Sequence, residues 1–252
     1  MAEGEIIFYA AFGLVSGIIM FVKGFIYMRQ KKLIEELPTS KIRSIAMGLV
    51  EIKGKVMRQK DLLVSPLMKK KCLWYKFLVE EYVSAGKHSY WKKLDHGNEF
   101  KYFFLKDDTA KVQIDPEKAK IEIPADLKCQ THRKDKPPVQ VLEYIKINKI
   151  KTTGWLSARR IRFNEWVIKP GDELYVLGTA GDNPFVEDAT GKKNVDDIMI
   201  QKGKNEKFYY ISNKPEIKIL KSFRWKIIGG LYGGGALAVG CLAFLLWVFG
   251  LF

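Results

Sequence analysis

The sequence predicts a mainly β protein, an antiparallel barrel or sandwich, carried between two transmembrane α-helices at the chain ends. Residues 6–22 and 227–252 are apolar and uncharged, and the segment between them contains short runs that alternate with a period of two. This period is typical of strands because successive side chains point to opposite faces of a sheet. The predicted regions are a first transmembrane helix with a cytoplasmic extension over 5–37, a basic β-rich domain over 38–212, a juxtamembrane helix over 213–226 and a second transmembrane helix over 227–252.

Both apolar runs are long enough to cross a membrane. The second has 26 residues without a charge, and at about 1.5 Å per residue it spans about 39 Å, more than the roughly 30 Å of a hydrocarbon core. The first is interrupted only by Lys23, whose long side chain can reach the interface. A cleavable signal peptide is disfavoured because the chain opens with Glu3 and Glu5 instead of basic residues. We therefore expect a two-pass membrane protein.

Basic residues flank both runs on the sides that adjoin the central segment. The residues before the first run are acidic, and no charged residue follows the second run. Because Lys and Arg near span ends stay in the cytoplasm, we expect the central domain inside and both termini outside. The predicted membrane-surface contacts are Arg29, Lys31, Lys32, Lys218, Lys221, Arg224 and Lys226.

The central segment is strongly basic. The whole chain carries a net charge of +15, and residues outside 28–226 contribute one net negative charge, so this segment carries +16. Near an anionic leaflet each surface Lys or Arg is worth about 1 kcal/mol. Membrane lipids are thus a predicted partner, although solubility and topology explain the charge equally well.

Asx side chains, glycine and proline separate the predicted strands, since these residues favour turns. We expect the first helix to stop at Pro38, an antiparallel meander over 90–123 and a surface loop over 128–138. Val139–Ile147 is compatible with a strand or a short helix. The predicted strands cover residues 49–56, 72–83, 90–94, 100–105, 111–114, 120–123, 159–168, 173–180 and 208–212.

Several short motifs follow one another in a defined order: Thr39-Ser40-Lys41-Ile42-Arg43-Ser44, Gly48-Leu49-Val50-Glu51-Ile52-Lys53-Gly54, Ser65-Pro66-Leu67, Cys72-Leu73-Trp74-Tyr75, Asp107-Asp108-Thr109, Asp115-Pro116 with Ala119, Lys169-Pro170-Gly171-Asp172-Glu173-Leu174-Tyr175-Val176-Leu177-Gly178 and Phe208-Tyr209-Tyr210-Ile211-Ser212. In this order they resemble the GIDE domain, the membrane-flanked module of the MULAN family of membrane E3 ubiquitin ligases and its prokaryotic relatives. Ala110 departs from the Gly that the family usually has after the Thr.

The resemblance implies a RING finger after the second span, with eight Cys and His ligands for two zinc ions. This sequence has three Cys and three His without a CxxC pair, so we expect no zinc site, no other cofactor and no ligase catalysis by that mechanism. In mitochondrial relatives the domain faces the intermembrane space. The charge distribution here instead favours a prokaryotic cell membrane, with the domain in the cytoplasm.

The densest mixture of cations and aromatic side chains surrounds Arg159, Arg160, Arg162 and Trp166, together with Trp155 and Phe163. Such a mixture can bind single-stranded nucleic acid, but contact with lipid headgroups or a partner protein is more economical in a membrane-tethered domain. A solvated strand face is the structural alternative. We therefore expect a partner or anion surface here, and nucleic acid is disfavoured.

Small residues recur at four-residue spacing in both apolar runs. Such spacing lets helix backbones approach closely, and the simplest partner is the other helix of the same chain. A homo-oligomer through these Gly-rich spans is the alternative. The predicted packing residues are Gly13, Gly17, Gly229, Gly230, Gly233 and Gly234.

The remaining polar residues do not form a convincing constellation for chemistry. Asp107 and Asp108 are adjacent, which favours a hairpin turn over an acid–base pair, and His88 and His96 could meet only if a turn joined them. We expect a non-catalytic, membrane-anchored binding or scaffold domain at the cytoplasmic face. The alternative is a component of an E3 ubiquitin-protein transferase-like system that acts with a separate RING or E2-like protein.

Overall fold

The computed structural model describes residues 2–86, 88–131, 137–152, 159–186, 197–204, 209–214 and 223–250. The chain divides into two compact units, residues 1–38 with 214–252, and residues 39–213. The predicted fold class is confirmed, since the structure is mainly β with two long apolar helices near the chain ends. The predicted juxtamembrane helix falls mostly on residues 215–222, outside the described residues.

Among the described residues, the three α-helices are α1 over Ala2–Glu36, α2 over Val139–Ile147 and α3 over Phe223–Val248, and a short 3-10 helix covers Ile42–Ser44. Helical segments of 29 and 26 residues, Gly4–Lys32 and Phe223–Val248, are long and apolar enough to cross a membrane. α1 ends two residues before Pro38 because the proline ring disfavours helical backbone at the residue before it. α3 contains a π-helical turn at Gly229–Gly233.

Fourteen strands are described within residues 39–213. They are β1 (Thr39–Ser40), β2 (Gly48–Val56), β3 (Leu63–Val64), β4 (Lys71–Cys72), β5 (Trp74–Ala85), β6 (His88–Phe100), β7 (Phe103–Lys106), β8 (Lys111–Ile114), β9 (Lys120–Glu122), β10 (Leu127–Gln130), β11 (Ile161–Ile168), β12 (Glu173–Asp182), β13 (Ile198–Gln201) and β14 (Tyr210–Ser212).

Five of these strands close into a small barrel. The eight-stranded sheet has the order β1-β2-β7-β8-β13-β12-β14-β9, and an additional pairing of β2 with β12 completes the ring. Alternate residues of each strand fill the barrel, including Ile52, Leu105, Ile114, Val176 and Ile200, all of which are buried. The apolar period of two therefore supplies the core, as the sequence predicts.

The interior of this barrel leaves no room for a side chain at Gly178. A Cβ at Gly178 would lie 2.7 Å from the Tyr209 ring and 2.8 Å from Ile200. The buried Tyr209 ring occupies that space, and its hydroxyl donates to the carbonyl oxygen of Asp115 at 2.5 Å. Burial raises the pKa of Tyr209 well above its usual value.

A four-stranded sheet, ordered β10-β11-β5-β6, packs one face against α2. The antiparallel pairs β5–β6 and β5–β11 run in register over most of their lengths. Val79, Phe163, Val141 and Tyr144 belong to the buried cluster between this sheet and the helix. The opposite face of the sheet carries the half-buried side chains of Tyr82, Trp91 and Arg162.

The structure corrects two predictions within this region. β6 runs without interruption through residues 95–98, where a turn was expected, with only a register shift opposite Val79 and Glu80. Residues 127–130 form a strand where a loop was expected to begin. Val139–Ile147, which was compatible with a strand or a short helix, is a helix. The polar residues at 95–98 fit a strand because β6 lies at the edge of the sheet, where His96 and Asn98 are exposed and Asp95 is half-buried.

The predicted antiparallel meander is present only in part. β7 and β8 form an antiparallel hairpin, but β8 pairs in parallel with β13 and β9 pairs in parallel with β14. β1 also pairs in parallel with β2. These pairings join distant parts of the chain, so the local turn signals that suggested a meander could not reveal them.

Candidate functional site

Arg162 lies on the outer face of the four-stranded sheet. It belongs to β11 and pairs in register with Glu80 of β5. Residues along β11 alternate between buried and half-buried, and its neighbours Ile161 and Phe163 are fully buried in the cluster beneath. Because side chains alternate along a strand, Arg162 points away from that cluster.

A carboxylate and an indole ring hold the Arg162 side chain. Its Nε donates a hydrogen bond to Glu80 Oε2 at 2.5 Å, and its guanidinium carbon lies 4.1 Å from the centre of the Trp91 ring. Glu80 is buried, so the guanidinium supplies the charged partner that a buried carboxylate needs. The planar guanidinium also stacks well on an aromatic face. Arg162 is consequently fixed in one orientation.

Tyr82 and Arg160 extend the same surface. Tyr82 packs edge-on against Trp91 with ring centres 5.3 Å apart, and its ring centre lies 5.8 Å from the guanidinium carbon of Arg160. Arg159 instead pairs with Glu81 at 3.1 Å, and Glu81 lies opposite Ile161 in the register, so this pair belongs to the other face of the sheet. We call Tyr82, Trp91, Arg160 and Arg162 the arginine–aromatic patch, which combines both charges with aromatic rings because Glu80 lies beside Arg162.

The aromatic side chains expected beside the arginines are not those that contact them. Phe163 is fully buried on the opposite face of the sheet. Trp166 packs partly against the barrel core, and Lys76 Nζ lies 5.8 Å from its ring centre. Trp155 lies outside the described residues. Trp91 was missed because only the pairing of β5 with β6 brings it to the arginines.

A buried carboxylate organises the Ser65-Pro66-Leu67 turn. Glu165 of β11 is fully buried and accepts hydrogen bonds from Ser65 Oγ at 2.9 Å, Leu67 N at 2.7 Å and Met68 N at 3.1 Å. Burial raises the pKa of Glu165, while these donors favour the charged form and oppose the rise. The turn therefore depends on one side chain from a distant strand, which sequence reasoning did not identify.

The Asp107-Asp108-Thr109 turn joins β7 to β8 and fixes the segment after β1. Asp107 accepts hydrogen bonds from Ile42 N at 2.8 Å and from three donors of the turn itself. Burial raises the pKa of Asp107, but these four donors outweigh it and lower the pKa to about 2. Asp108 pairs with Lys41 Nζ at 2.6 and 2.9 Å. The adjacent carboxylates thus occupy a hairpin, as expected.

Comparison with protein-family models matches residues 78–248 to GIDE, described as an E3 ubiquitin ligase. The matched range covers well over half of the 252 residues. The chain belongs to the GIDE family. Comparisons with curated proteins and with solved structures give no match. The resemblance drawn from the sequence is confirmed, and the matched GIDE range contains the whole arginine–aromatic patch.

The two long helices of this GIDE protein pack through small residues. Among the described side chains of α1, the buried positions are Ala10, Gly17 and Gly24, which recur every seven residues. This spacing keeps one seam facing a partner helix. A Cβ at Gly17 would lie 2.7 Å from the backbone of Ala238, and a Cβ at Gly24 would lie 2.7 Å from that of Leu231. The GIDE helices therefore approach backbone to backbone.

Four of the six predicted packing glycines lie in this seam, and the other two lie on the outer surface of the helices. Gly13, Gly17, Gly230 and Gly234 all lie where a Cβ would collide with the other helix. Gly229 and Gly233 have nothing within 4 Å of a Cβ among the described residues. Gly24 was missed because it has no partner at four-residue spacing within α1.

The basic residues at the ends of the GIDE helices are only partly paired. Lys31 and Lys32 form salt bridges to Glu35 and Glu36, one helical turn further on, at 3.1 and 3.5 Å. Lys226 Nζ lies 5.5 Å from the centre of the Tyr27 ring. Arg29 and Arg224 are exposed, whereas Lys218 and Lys221 lie outside the described residues.

Possible metal ligands of the GIDE domain do not converge within the part of the chain that the structure describes. There, no group of three or more His, Cys, Asp or Glu side chains could hold a metal ion. His88 and His96 lie on the uninterrupted strand β6, so they are about 25 Å apart along the strand. His132 lies outside the described residues.

Proposed function

We propose that this GIDE protein is a membrane-anchored binding module whose central domain docks a partner protein through the arginine–aromatic patch. The observation that carries the proposal is the fixed stack of Arg162 on Trp91, locked by buried Glu80. Trp, Tyr and Arg supply most binding hot spots in protein interfaces. Side chains already held in place lose less conformational entropy when a partner binds.

The charges of the patch favour a protein partner over a uniformly anionic surface. Glu80 already neutralises Arg162. Arg160 is exposed and has no carboxylate within 4.0 Å among the described residues. An acidic side chain of a partner, placed against Arg160 and beside the Tyr82 ring, would complete the pattern of charges.

The predicted location completes this proposal. We place the domain at the cytoplasmic face of a prokaryotic cell membrane, with the basic ends of α1 and α3 against acidic headgroups. Exposed Arg29 and Arg224 support such a contact, because cations just beyond a span are attracted to anionic lipids.

A ligase-associated role is the second candidate function. The description of the matching family as an E3 ubiquitin ligase supports it. In this role the domain would recruit a separate RING or E2-like protein instead of performing the transfer itself. Ubiquitin-like components encoded beside its gene, or recovered with the protein, would favour this candidate, and their consistent absence would remove it.

Photocrosslinking tests the docking proposal in native membranes. Ser89 is exposed and lies on the same face as Trp91, two residues away along β6. A benzoylphenylalanine at position 89 should yield a crosslinked partner of defined mass. The same group at Val64, which is 54% exposed on another part of the domain, should not.

A charge-reversal variant then tests whether the crosslink depends on the arginine–aromatic patch. Arg160→Glu should reduce it by roughly tenfold, in line with the loss of one hot-spot residue. Lys118→Glu makes the same charge change at an exposed site away from the patch and should leave the crosslink intact. No product at position 89, or an equal loss in both variants, would contradict docking through the patch.

A further inference from the structure

Three lysines lie side by side on the outer surface of the barrel. The strand register places Lys55 of β2 opposite Lys106 of β7, and Lys106 opposite Lys111 of β8. All three side chains are exposed. Directly opposed residues of antiparallel strands have Cβ atoms about 4.5–5.5 Å apart, and like charges in these positions destabilise the pair. An anion placed over the row would relieve this repulsion.

The described residues offset little of that charge. Lys55 Nζ lies 3.8 Å from Glu173, but both side chains are largely exposed, and such pairs contribute little. Lys111 Nζ lies 5.2 Å from the centre of the Phe104 ring, which carries no charge. Among the described residues, no carboxylate lies within 4.0 Å of the ammonium group of Lys53 or Lys106.

Two lysines of this row, Lys55 and Lys106, border a cleft of about 680 Å³, and Lys111 does not. Lys53, Lys55 and Lys106 line it on one side, and Thr39 to Lys41 line it on another. A Cβ at Gly54 would lie 2.6 Å from the carbonyl oxygen of Lys106, so the absence of a side chain lets β2 and β7 approach closely. The cleft has the size of typical small-ligand sites, which range from about 300 to 1,000 Å³.

Three acidic residues line the cleft: Asp107, Asp108 and Glu173. Asp107 accepts four hydrogen bonds from Ile42 and from its own turn, and both oxygens of Asp108 accept from Lys41 Nζ. Glu173 lies 3.8 Å from Lys55 Nζ, so none of the three forms an ion pair with Lys53 or Lys106. The cleft therefore combines a fixed frame with unpaired positive charge.

We infer that this lysine cleft binds an anion that carries a phosphate group. Each ammonium group offers three donors, and a phosphate offers several acceptor oxygens. The aliphatic stems of the lysines provide an apolar surface for the rest of the ligand. The volume exceeds that of phosphate alone, so the ligand is a phosphorylated small molecule, either free or as the headgroup of a lipid.

Lysine footprinting of the full chain in nanodiscs tests the inference. In one arm, inositol hexakisphosphate is added to protein in phosphatidylcholine nanodiscs. In the other, the nanodiscs also contain phosphatidylinositol phosphate and no soluble probe is added. Lys53 and Lys106 should become less reactive toward an amine-modifying reagent in at least one arm, as read by mass spectrometry. Protection only by the soluble probe identifies a free ligand, and protection only by the lipid identifies a headgroup.

Two double variants distinguish binding in this cleft from a general effect of positive charge. Lys53→Gln with Lys106→Gln should weaken binding roughly tenfold or more, the loss expected for two charge-assisted hydrogen bonds. Lys92→Gln with Lys93→Gln removes equal charge from exposed positions of β6 and should change affinity less than about twofold. Lys106→Gln alone should leave the melting temperature unchanged or raised, because it removes a like-charge contact.

Absence of protection in both arms, or an equal loss of affinity in the two double variants, would overturn the inference. The lysine cleft lies on the barrel and the arginine–aromatic patch lies on the four-stranded sheet. Failure of either experiment therefore leaves the other proposal intact.

Discussion

Leucine at Gly24 is expected to separate the two long helices and to destabilise their packing by about 2 kcal/mol or more, as overpacking of a tight contact does. The reason is steric, because even a Cβ at this position would lie 2.7 Å from Leu231 N and 2.9 Å from the carbonyl carbon of Gly230. Both of these atoms belong to backbone, so no side-chain rotation can make room. The helices must move apart and lose the contacts of the seam.

A cysteine crosslink measures this separation. A Cβ at Gly13 would lie 2.7 Å from Cys241 Sγ, so Gly13→Cys should crosslink to Cys241 within one chain under mild oxidation. Adding Gly24→Leu should abolish most of the product. The matched variant Gly233→Leu, where nothing lies within 4 Å, should retain it. A crosslink that survives Gly24→Leu, or that joins two chains, would contradict the packing described here.

Alanine at Glu165 is expected to destabilise the central domain by about 3 kcal/mol, because it leaves several donors of the Ser65-Pro66-Leu67 turn without an acceptor in a buried site. Glu165→Gln should cost less, about 1 kcal/mol, since the amide keeps one acceptor oxygen and loses the other. Thermal unfolding of the full chain in detergent, followed by tryptophan fluorescence, ranks the three proteins. Equal stability of the alanine variant and the wild type would refute this role.

The pH dependence of the free energy of unfolding provides an independent test of the role of Glu165. Its pKa is raised in the folded protein, so the folded state binds this proton more tightly than the unfolded state does. This tighter proton binding stabilises the folded protein fully at a pH below the pKa of Glu165 in the unfolded chain. The stabilisation is lost as the pH rises through the pKa of Glu165 in the folded protein. The stability difference between wild type and Glu165→Gln should therefore shrink from acidic to neutral pH, and the opposite slope would contradict the shift.

The features predictable from the sequence are those set by local pattern. The helix that ends before Pro38, the strands around Val50 and Val176, and the hairpin at Asp107 all follow from periodicity and turn chemistry. The residues at 95–98 show the limit of that reasoning. Their composition favours a turn, but pairing with β5 keeps them in a continuous edge strand.

Only part of the candidate site could be predicted from the sequence, because its residues come from strands that are distant along the chain. Arg160 and Arg162 are close in sequence, whereas Trp91 reaches Arg162 only through the pairing of β6 with β5 and of β5 with β11. The role of Glu165 likewise depends on a turn 100 residues earlier in the chain. Neither relationship has a local signal, since each arises from tertiary pairing.

We propose that two membrane-spanning helices hold the GIDE domain at the cytoplasmic face, and cysteine accessibility tests this topology most directly. Native thiols are poor reporters because Cys72 is buried, and burial raises its pKa to about 12 and that of half-buried Cys129 to about 11. Exposed cysteines at Gly4 and Ser89 avoid this difficulty.

Intact cells expressing Gly4→Cys or Ser89→Cys are treated with a membrane-impermeant maleimide, before and after permeabilisation. We predict that the cysteine at position 4 is labelled in intact cells and that the cysteine at position 89 is labelled only after permeabilisation. Labelling of position 89 in intact cells, with position 4 protected, would contradict the account.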